Sequence, residues 1–125
     1  LIHDARRCIM NINELTGAVL DSYVAKEEGL PNAVIEDGKC MVDLNTGGRR
    51  VYSPSNDWAL AGPLIEREQI ALLPPHTRDT PGKWWRAECG HWSAAGATAR
   101  EAAMRAYVSS KYGIGEQVSL RTTAK

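Results

Sequence analysis

Residues 49–56 contain the side chains best suited to binding a charged ligand, because they lead into a predicted helix. The first turn of a helix carries unpaired amide N–H groups and the positive end of the helix dipole, which together attract anions. Guanidinium, hydroxyl and amide side chains near that turn can add hydrogen bonds to a phosphate or a carboxylate. The candidate ligand-binding residues are Arg49, Arg50, Ser53, Ser55 and Asn56.

The alternative interpretation of the same stretch is helix capping with solvated arginines. Ser55 or Asn56 can cap the helix by accepting a hydrogen bond from an amide of the first turn. Asp57 favours this alternative, because a carboxylate in the first turn already compensates the helix dipole. Under the ligand-binding interpretation, the base of a nucleotide at the helix start could stack on Trp84 or Trp85. The residues alone leave both interpretations open.

The tryptophans are the second set of candidates, since the chain has four of them and no phenylalanine. Alternation along a strand places Trp84 and Trp85 on opposite faces, so one should be buried and the other partly exposed. We expect Trp58 and Trp85 to lie in the core. An exposed tryptophan often marks contact with another protein. Trp84 and Trp92 are therefore the candidate interaction surface.

Metal binding and catalysis find little support in the sequence. Cys40, Cys89, His76 and His91 are the possible metal ligands, but Cys89 and His91 stand too close together for a usual zinc pair. A buried structural cysteine is the better interpretation. The chain has no Gly-x-Ser-x-Gly, phosphate-binding loop or His-Glu-x-x-His motif. We therefore expect a protein that is not an enzyme and needs neither a metal nor a cofactor.

The length and composition of the chain are those of one ordinary globular domain. The chain has 125 residues, with 15 basic and 15 acidic side chains that cancel. A balanced charge argues against a dedicated nucleic-acid-binding protein, which usually carries a basic excess. Three cysteines without a Cys-x-x-Cys pair indicate free thiols in a reducing compartment. No apolar run approaches the roughly 18 residues that span a bilayer.

The elements that would position these side chains begin with two helices. Residues 13–28 form the first, with Asn13 as its N-cap and Gly29 as a left-handed stop. The second begins after a cap at Ser55 or Asn56, with Asp57 in its first turn. Gly62-Pro63 should kink or restart it, because proline removes an amide and clashes with the preceding turn.

The third helix has the clearest signals of the chain. Thr98 and Glu101 form a capping box, in which each side chain bonds a backbone amide near the other residue. Alanines between them and Tyr112 give a face of small side chains, which allows close packing. Gly113 ends the helix.

Short runs with alternating apolar residues predict the strands. They cover residues 33–35, 39–44, 49–52, 70–73, 83–89, 91–94 and 116–120. The order of helices and strands predicts an α+β fold, with a small single-layer, mostly antiparallel sheet covered by about three helices. An α/β/α layering is the alternative.

Three segments of the chain resemble the NinX-like proteins encoded in the nin regions of lambdoid phages. They are ELTGAVLDSYVAKEEG at residues 14–29, YSPSNDW at 52–58 with GPLIERE at 62–68, and EAAMRAYV at 101–108. The resemblance covers roughly residues 10–115 and implies a phage or prophage accessory protein. It implies no activity and assigns no catalytic residue.

The resemblance also suggests how the chain is divided. Met10 would be the natural start, so residues 1–9 would be an N-terminal extension, with an ordinary N-terminal arm as the alternative. Residues 10–120 would form a single NinX-like domain, and residues 121–125 a tail.

The function expected from the sequence is protein–protein binding by a phage accessory protein in the cytoplasm of the bacterial host. The partner would be a host or phage protein, or a second copy of the chain, and nucleic acid and membrane are not expected partners. The alternative is binding of a small anionic ligand, such as a nucleotide, at the N-terminus of the central helix. A small enzyme without a recognisable motif is the third possibility.

Overall fold

The computed structural model describes residues 11–44, 46–75 and 83–117. Its helices are α1 (Gly17–Glu27), α2 (Trp58–Glu68) and α3 (Ala99–Tyr112), preceded by a 3₁₀ turn at Ile12–Glu14. The strands are β1 (Val34–Glu36), β2 (Lys39–Leu44), β3 (Gly48–Val51), β4 (Ala71–Leu73), β5 (Trp85–Cys89), β6 (Trp92–Gly96) and β7 (Glu116–Gln117).

Helix α3 lies at the centre of the fold. It packs against β5 and β6 and also contacts α1 and α2. Every residue from 102 to 109 is buried, so this helix is enclosed on all sides rather than along one face. Its alanines therefore do more than form the expected small face, because short side chains let neighbours approach from several directions.

The ends of α3 confirm the predicted signals. The hydroxyl oxygen of Thr98 accepts the amide of Glu101 at 3.1 Å. The carboxylate of Glu101 reaches back to the amide of Ala97 at 2.8 Å, which satisfies another amide beside the helix start. Gly113 closes the helix in the left-handed conformation, with φ of 69°.

Strands β4 to β7 form an antiparallel sheet on one side of α3. Residues that pair directly across antiparallel strands share a face, so Ala87 and its partner Ala94 both point toward the helix. Gly96, the last residue of β6, allows the closest approach between sheet and helix. A Cβ atom placed on it would lie 2.6 Å from the backbone nitrogen of Ala102.

Strands β1 to β3 form a second antiparallel sheet that packs on α1. Cys40 and Val42 of β2 are buried against the core, whereas Leu44, on the same face, is 38 % exposed at the end of the strand. Helices α1 and α3 contact each other. The core therefore runs from one sheet to the other through these two helices.

The α+β class, the antiparallel strands and the three helices are confirmed, but the strands form two sheets rather than one. The loop at 52–57 and helix α2 separate β3 from β4 along the chain. Each sheet instead pairs strands that are neighbours in sequence order.

Two details of the helices differ from expectation. Residues 12–14 form a separate 3₁₀ turn, capped by Asn11, so α1 begins at Gly17 rather than near Asn13. Helix α2 runs through Pro63 as one element and does not restart. Gly62 has no Cβ to clash with the proline ring, so the residue before the proline can stay helical.

Several predictions fall outside the described residues. They concern the N-terminal extension at 1–9, the last strand beyond residue 117 and the tail at 121–125. Among the residues that the structure describes, no helix is long and apolar enough to cross a membrane.

Candidate functional site

The loop that enters α2 is held to α1 by a buried carboxylate. Asp21 is only 2 % exposed and accepts two hydrogen bonds from Ser55, one from its amide at 2.9 Å and one from its hydroxyl at 3.1 Å. The carbonyl of Ser55 accepts Nε of Arg100 at 3.4 Å. The amide, hydroxyl and carbonyl of Ser55 are thus all engaged inside the protein, which leaves none of them for a ligand.

The surroundings of Asp21 shift the pKa of three acidic groups upward. Burial raises the pKa of Asp21 to about 6, against the opposing effect of its two hydrogen bonds from Ser55. Burial also raises the pKa of the Cys40 thiol, and the charge of Asp21 adds to this effect. The pKa of Tyr52 rises to about 12, first through burial and then through nearby carboxylates. Cys40 therefore stays protonated and unreactive at neutral pH.

A second polar cluster joins the C-terminal ends of the helices. Arg67 of α2 donates to both carboxylate oxygens of Glu28, at 2.9 and 2.6 Å, and the hydroxyl of Tyr107 on α3 donates to the same carboxylate. Glu68 accepts from Arg67 at 3.0 Å and pairs with Lys111 at 3.4 Å. The hydrogen bonds from Arg67 lower the pKa of the Glu28 carboxyl. Burial raises the pKa of the Tyr107 hydroxyl, and its hydrogen bond to Glu28 raises this pKa further.

We expect Glu28→Gln to reduce the free energy of unfolding at pH 7 by about 1 kcal/mol. The folded-state pKa of Glu28 is depressed, so its contribution is present above its unfolded pKa and is lost as the pH falls through the folded value. The variant should therefore show a weaker loss of stability between about pH 5 and 3. Urea unfolding across this pH range measures the effect.

Glu66→Gln is the matched control, because this residue is exposed on α2. It should change neither the free energy of unfolding at pH 7 nor the loss of stability at acidic pH. If Glu28→Gln loses as much stability at acidic pH as the wild type does, this result would contradict the assigned role of Glu28.

The five predicted ligand-binding residues do not gather around the start of α2. Arg49 and Arg50 are neighbours on β3, so they point to opposite faces of the sheet. Arg49 is engaged with Glu36 at 2.8 Å and with Asp43 at 3.3 Å. Arg50 is exposed and has no ion pair within the described ranges.

The serines and the asparagine of that set form hydrogen bonds within the protein. Ser55 is bound to Asp21, and the amide of exposed Asn56 donates to the carbonyl of Ser53 at 2.9 Å. Neither Ser55 nor Asn56 caps α2, so that prediction is wrong. The cap is Asp57, whose carboxylate accepts the amide of Ala59 at 2.9 Å, and an anion at this terminus would meet that negative charge.

The tryptophans divide differently from the sequence expectation. Trp84 is 57 % exposed, and Trp58 is 48 % exposed, so the prediction that Trp58 is core is wrong. Trp58 is the first residue of α2, whose buried residues are Ala61 and Leu64 further along. Trp85 is half-buried and packs against the core rather than lying within it, so the prediction that it is core holds only in part. Trp92 is half-buried and pairs with Cys89 on the helix-facing side of the sheet.

Arg100 of α3 contacts the exposed ring of Trp58. Its guanidinium carbon lies 5.2 Å from the centroid of the Trp58 ring, within the range of a cation–π contact. The same side chain donates to the carbonyl of Ser55. Trp58 is therefore in contact with a residue of α3 on one side of its ring.

A cleft of about 260 Å³ lies on the other flank of α2, between this helix and the three-stranded sheet. Its apolar walls come from the end of α1, from β2 and from α2, and Arg50 is at its edge. The residues that line it are Leu30, Pro31, Val42, Asp43, Leu44, Arg50, Tyr52 and Leu60.

The metal candidates are not gathered. Cys40 and Cys89 are buried free thiols, and His76 lies outside the described residues. Within the described part of the chain, no group of three or more His, Cys, Asp or Glu side chains could hold a metal ion.

Comparison with known proteins identifies the family. The sequence model of the family described as Bacteriophage P22, NinX matches residues 11–111, which is most of the chain. The chain belongs to the NinX family. No curated protein matches it significantly.

The three NinX-like segments meet in space at the two polar clusters. Glu28 lies at the end of the first segment just before Gly29, Arg67 lies in the second and Tyr107 in the third, and Glu28 accepts hydrogen bonds from both of the others. Asp21 and Ser55 join the first and second segments in the same way. The segments that carry the resemblance therefore contain the polar contacts that join the helices and the central loop.

The sequence analysis missed these polar contacts. Asp21 gave no signal in its spacing, because it lies beside the apolar stripe of Leu20 and Val24 and not within it. Arg67 and Tyr107 gave none, since charged and aromatic residues are common on helices. Only the fold shows that they share one carboxylate.

Proposed function

We propose that this NinX-family protein is a phage accessory protein that binds another protein in the cytoplasm of the bacterial host. The observation that carries the proposal is the exposed ring of Trp58 with half-buried Arg100 against it. Trp58 is 48 % exposed, and the guanidinium of Arg100 lies over its ring. Tryptophan and arginine are the residues most enriched at the energetic centres of protein interfaces.

Preorganisation strengthens this proposal. Arg100 is restrained by its bond to the Ser55 carbonyl, and the Ser55 loop is restrained by buried Asp21. A side chain already held in place loses less conformational entropy on binding than a free one. Trp58 is thus presented as a large apolar surface in a defined orientation.

Trp84 is the second candidate contact, with 57 % of its surface exposed. It stands just before β5 and so belongs to a different part of the fold from Trp58. Trp92 is half-buried and contributes less accessible surface. The proposal assigns no catalytic step to the chain, because Ser55, Cys40 and Cys89 are buried and the polar groups of Ser55 are occupied.

The test is affinity capture from a host lysate with the wild type, Trp58→Ala and Trp84→Ala in parallel. We expect Trp58→Ala to weaken the captured complex at least about tenfold, the usual effect of removing a central tryptophan. Circular dichroism and thermal unfolding confirm that the variant is folded. The purified partner then gives affinities by calorimetry.

Self-association is tested separately by light scattering after size exclusion, because the partner could be a second copy of the chain. A concentration-dependent dimer that Trp58→Ala abolishes would make the chain its own partner. If every captured partner binds Trp58→Ala as tightly as the wild type, the Trp58 surface is not the binding site.

A further inference from the structure

The cleft beside α2 combines apolar walls with one free positive charge. Leu30, Val42, Leu44 and Leu60 supply most of the walls, and Tyr52 adds an aromatic ring. Leu60 is on the flank of α2 away from Trp58, because two residues along a helix turn the side chain by roughly 200°. The cleft is therefore separate from the proposed protein-binding surface.

Arg50 is the only guanidinium at this cleft among the described residues. Asp43 also borders it, but its carboxylate is engaged by Arg49 at 3.3 Å and by the amide of Asn32. Arg50 itself has no ion pair within the part of the chain that the structure describes. The edge of the cleft therefore keeps an uncompensated positive charge.

The size of the cleft limits what it can hold. Its volume of about 260 Å³ lies below that of typical sites for drug-sized ligands, roughly 300 to 1,000 Å³. An apolar cavity of about 150 Å³ already holds benzene. The cleft thus has room for a single ring or a branched chain with one small polar group.

From these observations we propose that the cleft binds a small organic monocarboxylate with a compact apolar body. The apolar body would fill the space between Leu30, Val42 and Leu60, and the carboxylate would pair with Arg50. A guanidinium matches a carboxylate with two parallel hydrogen bonds, which gives both affinity and orientation. This site is independent of the protein-binding function proposed above.

A nucleotide fits this cleft poorly, which distinguishes the proposal from anion binding at the start of α2. A nucleotide carries several phosphate charges and a base and sugar that exceed the available volume. Phosphate sites also recruit a helix N-terminus or several donors, whereas this cleft offers one guanidinium beside apolar walls and the carboxylate of Asp43.

The experiment is an NMR titration of the full chain with phenylacetate, and with phenylacetamide as the uncharged match. We expect saturable shifts of the Val42, Leu44 and Arg50 amides, with Kd on the order of 0.1 to 1 mM for so small a ligand. Phenylacetamide should bind at least about tenfold more weakly, because it cannot form the charged pair.

Variants locate the site. Arg50→Gln should weaken phenylacetate binding about tenfold or more, whereas Arg49→Gln, on the opposite face of the same strand, should bind like the wild type. Leu44→Trp should block the cleft, since Leu44 is already 38 % exposed and a larger side chain can be accommodated there. Trp58→Ala should leave binding unchanged.

Three results would overturn the proposal. One is the absence of saturable binding up to about 10 mM phenylacetate, well above the expected Kd. Another is equal binding by the wild type and by folded Arg50→Gln. The third is a pattern of shifts that lies away from the cleft.

Discussion

Gly96→Ala is expected to lower the free energy of unfolding by about 3 kcal/mol, although it adds a single methyl group. The added Cβ would lie 2.6 Å from the Ala102 nitrogen and 3.1 Å from the carbonyl carbon of Glu101. Both are backbone atoms in the first turns of α3, so no side chain can rotate away. Either β6 or the central helix must shift, and the buried contacts between them would loosen.

Gly62→Ala is the matched control, because it makes the same chemical change in α2. Apart from its chain neighbours, a Cβ at that position would have no atom within 4 Å. Alanine favours a helix over glycine by about 0.5 to 1 kcal/mol, but its Cβ crowds the ring of Pro63, so the two effects offset each other. This variant is therefore expected to stay within about 1 kcal/mol of the wild type, whereas Gly96→Ala is not.

Urea unfolding at constant pH measures both variants against the wild type. Thermal unfolding should show a midpoint about 10 °C lower for Gly96→Ala, given the usual entropy of a domain of this size. A Gly96→Ala protein within about 0.5 kcal/mol of the wild type would mean that sheet and helix are not in such close contact.

The parts of the fold that the sequence predicted well are those with local physical signals. The capping box at Thr98 and Glu101 and the glycine stop at Gly113 depend on residues within a turn of each other. Strand β2 was predicted with its observed bounds, Lys39–Leu44, because its apolar side chains alternate and Asp37-Gly38 precedes it. Such signals require no knowledge of tertiary structure.

The parts that the sequence did not predict depend on long-range contacts. Asp21 and Ser55 are 34 residues apart, and Glu28 and Tyr107 are 79 residues apart. No spacing rule connects residues at such distances. The division into two sheets has the same origin, because strand propensity does not specify which strands pair.

The candidate site contains one feature that the sequence could have predicted and two that it could not. Strand alternation places Arg49 and Arg50 on opposite faces, so the sequence already contained an argument against their acting together. The contact between Trp58 and Arg100 could not be predicted, because Arg100 lies on another helix. The cleft at Arg50 could not be predicted either, since its lining comes from four separate segments of the chain.

Substitutions at Asp21 should produce the other large effect. Asp21→Ala should cost about 3 kcal/mol, because it leaves the buried amide and hydroxyl of Ser55 without an acceptor. The missing carboxylate also leaves a small void between α1 and the loop at 52–57. The loop that positions α2 would lose its connection to α1.

Asp21→Asn should behave differently, and its effect should depend on pH. The amide oxygen can still accept the Ser55 amide, so the loop keeps this bond. The pKa of Asp21 is about 6 in the folded protein against 3.8 for the unperturbed group, so folding favours the protonated carboxyl. That stabilisation is complete below about pH 4 and is lost as the pH rises through about 6.

The stability of Asp21→Asn relative to the wild type should therefore increase by about 2 kcal/mol between pH 4 and 7.5. Glu28 is present in both proteins, so its opposite pH dependence cancels in this difference. Cys40 and Tyr52 do not titrate in this range, because burial raises both of their pKa values. Urea unfolding of the two proteins at several pH values gives the difference directly. A constant difference across the range would show that the Asp21 carboxylate is not desolvated, and the buried link between α1 and the central loop would need another explanation.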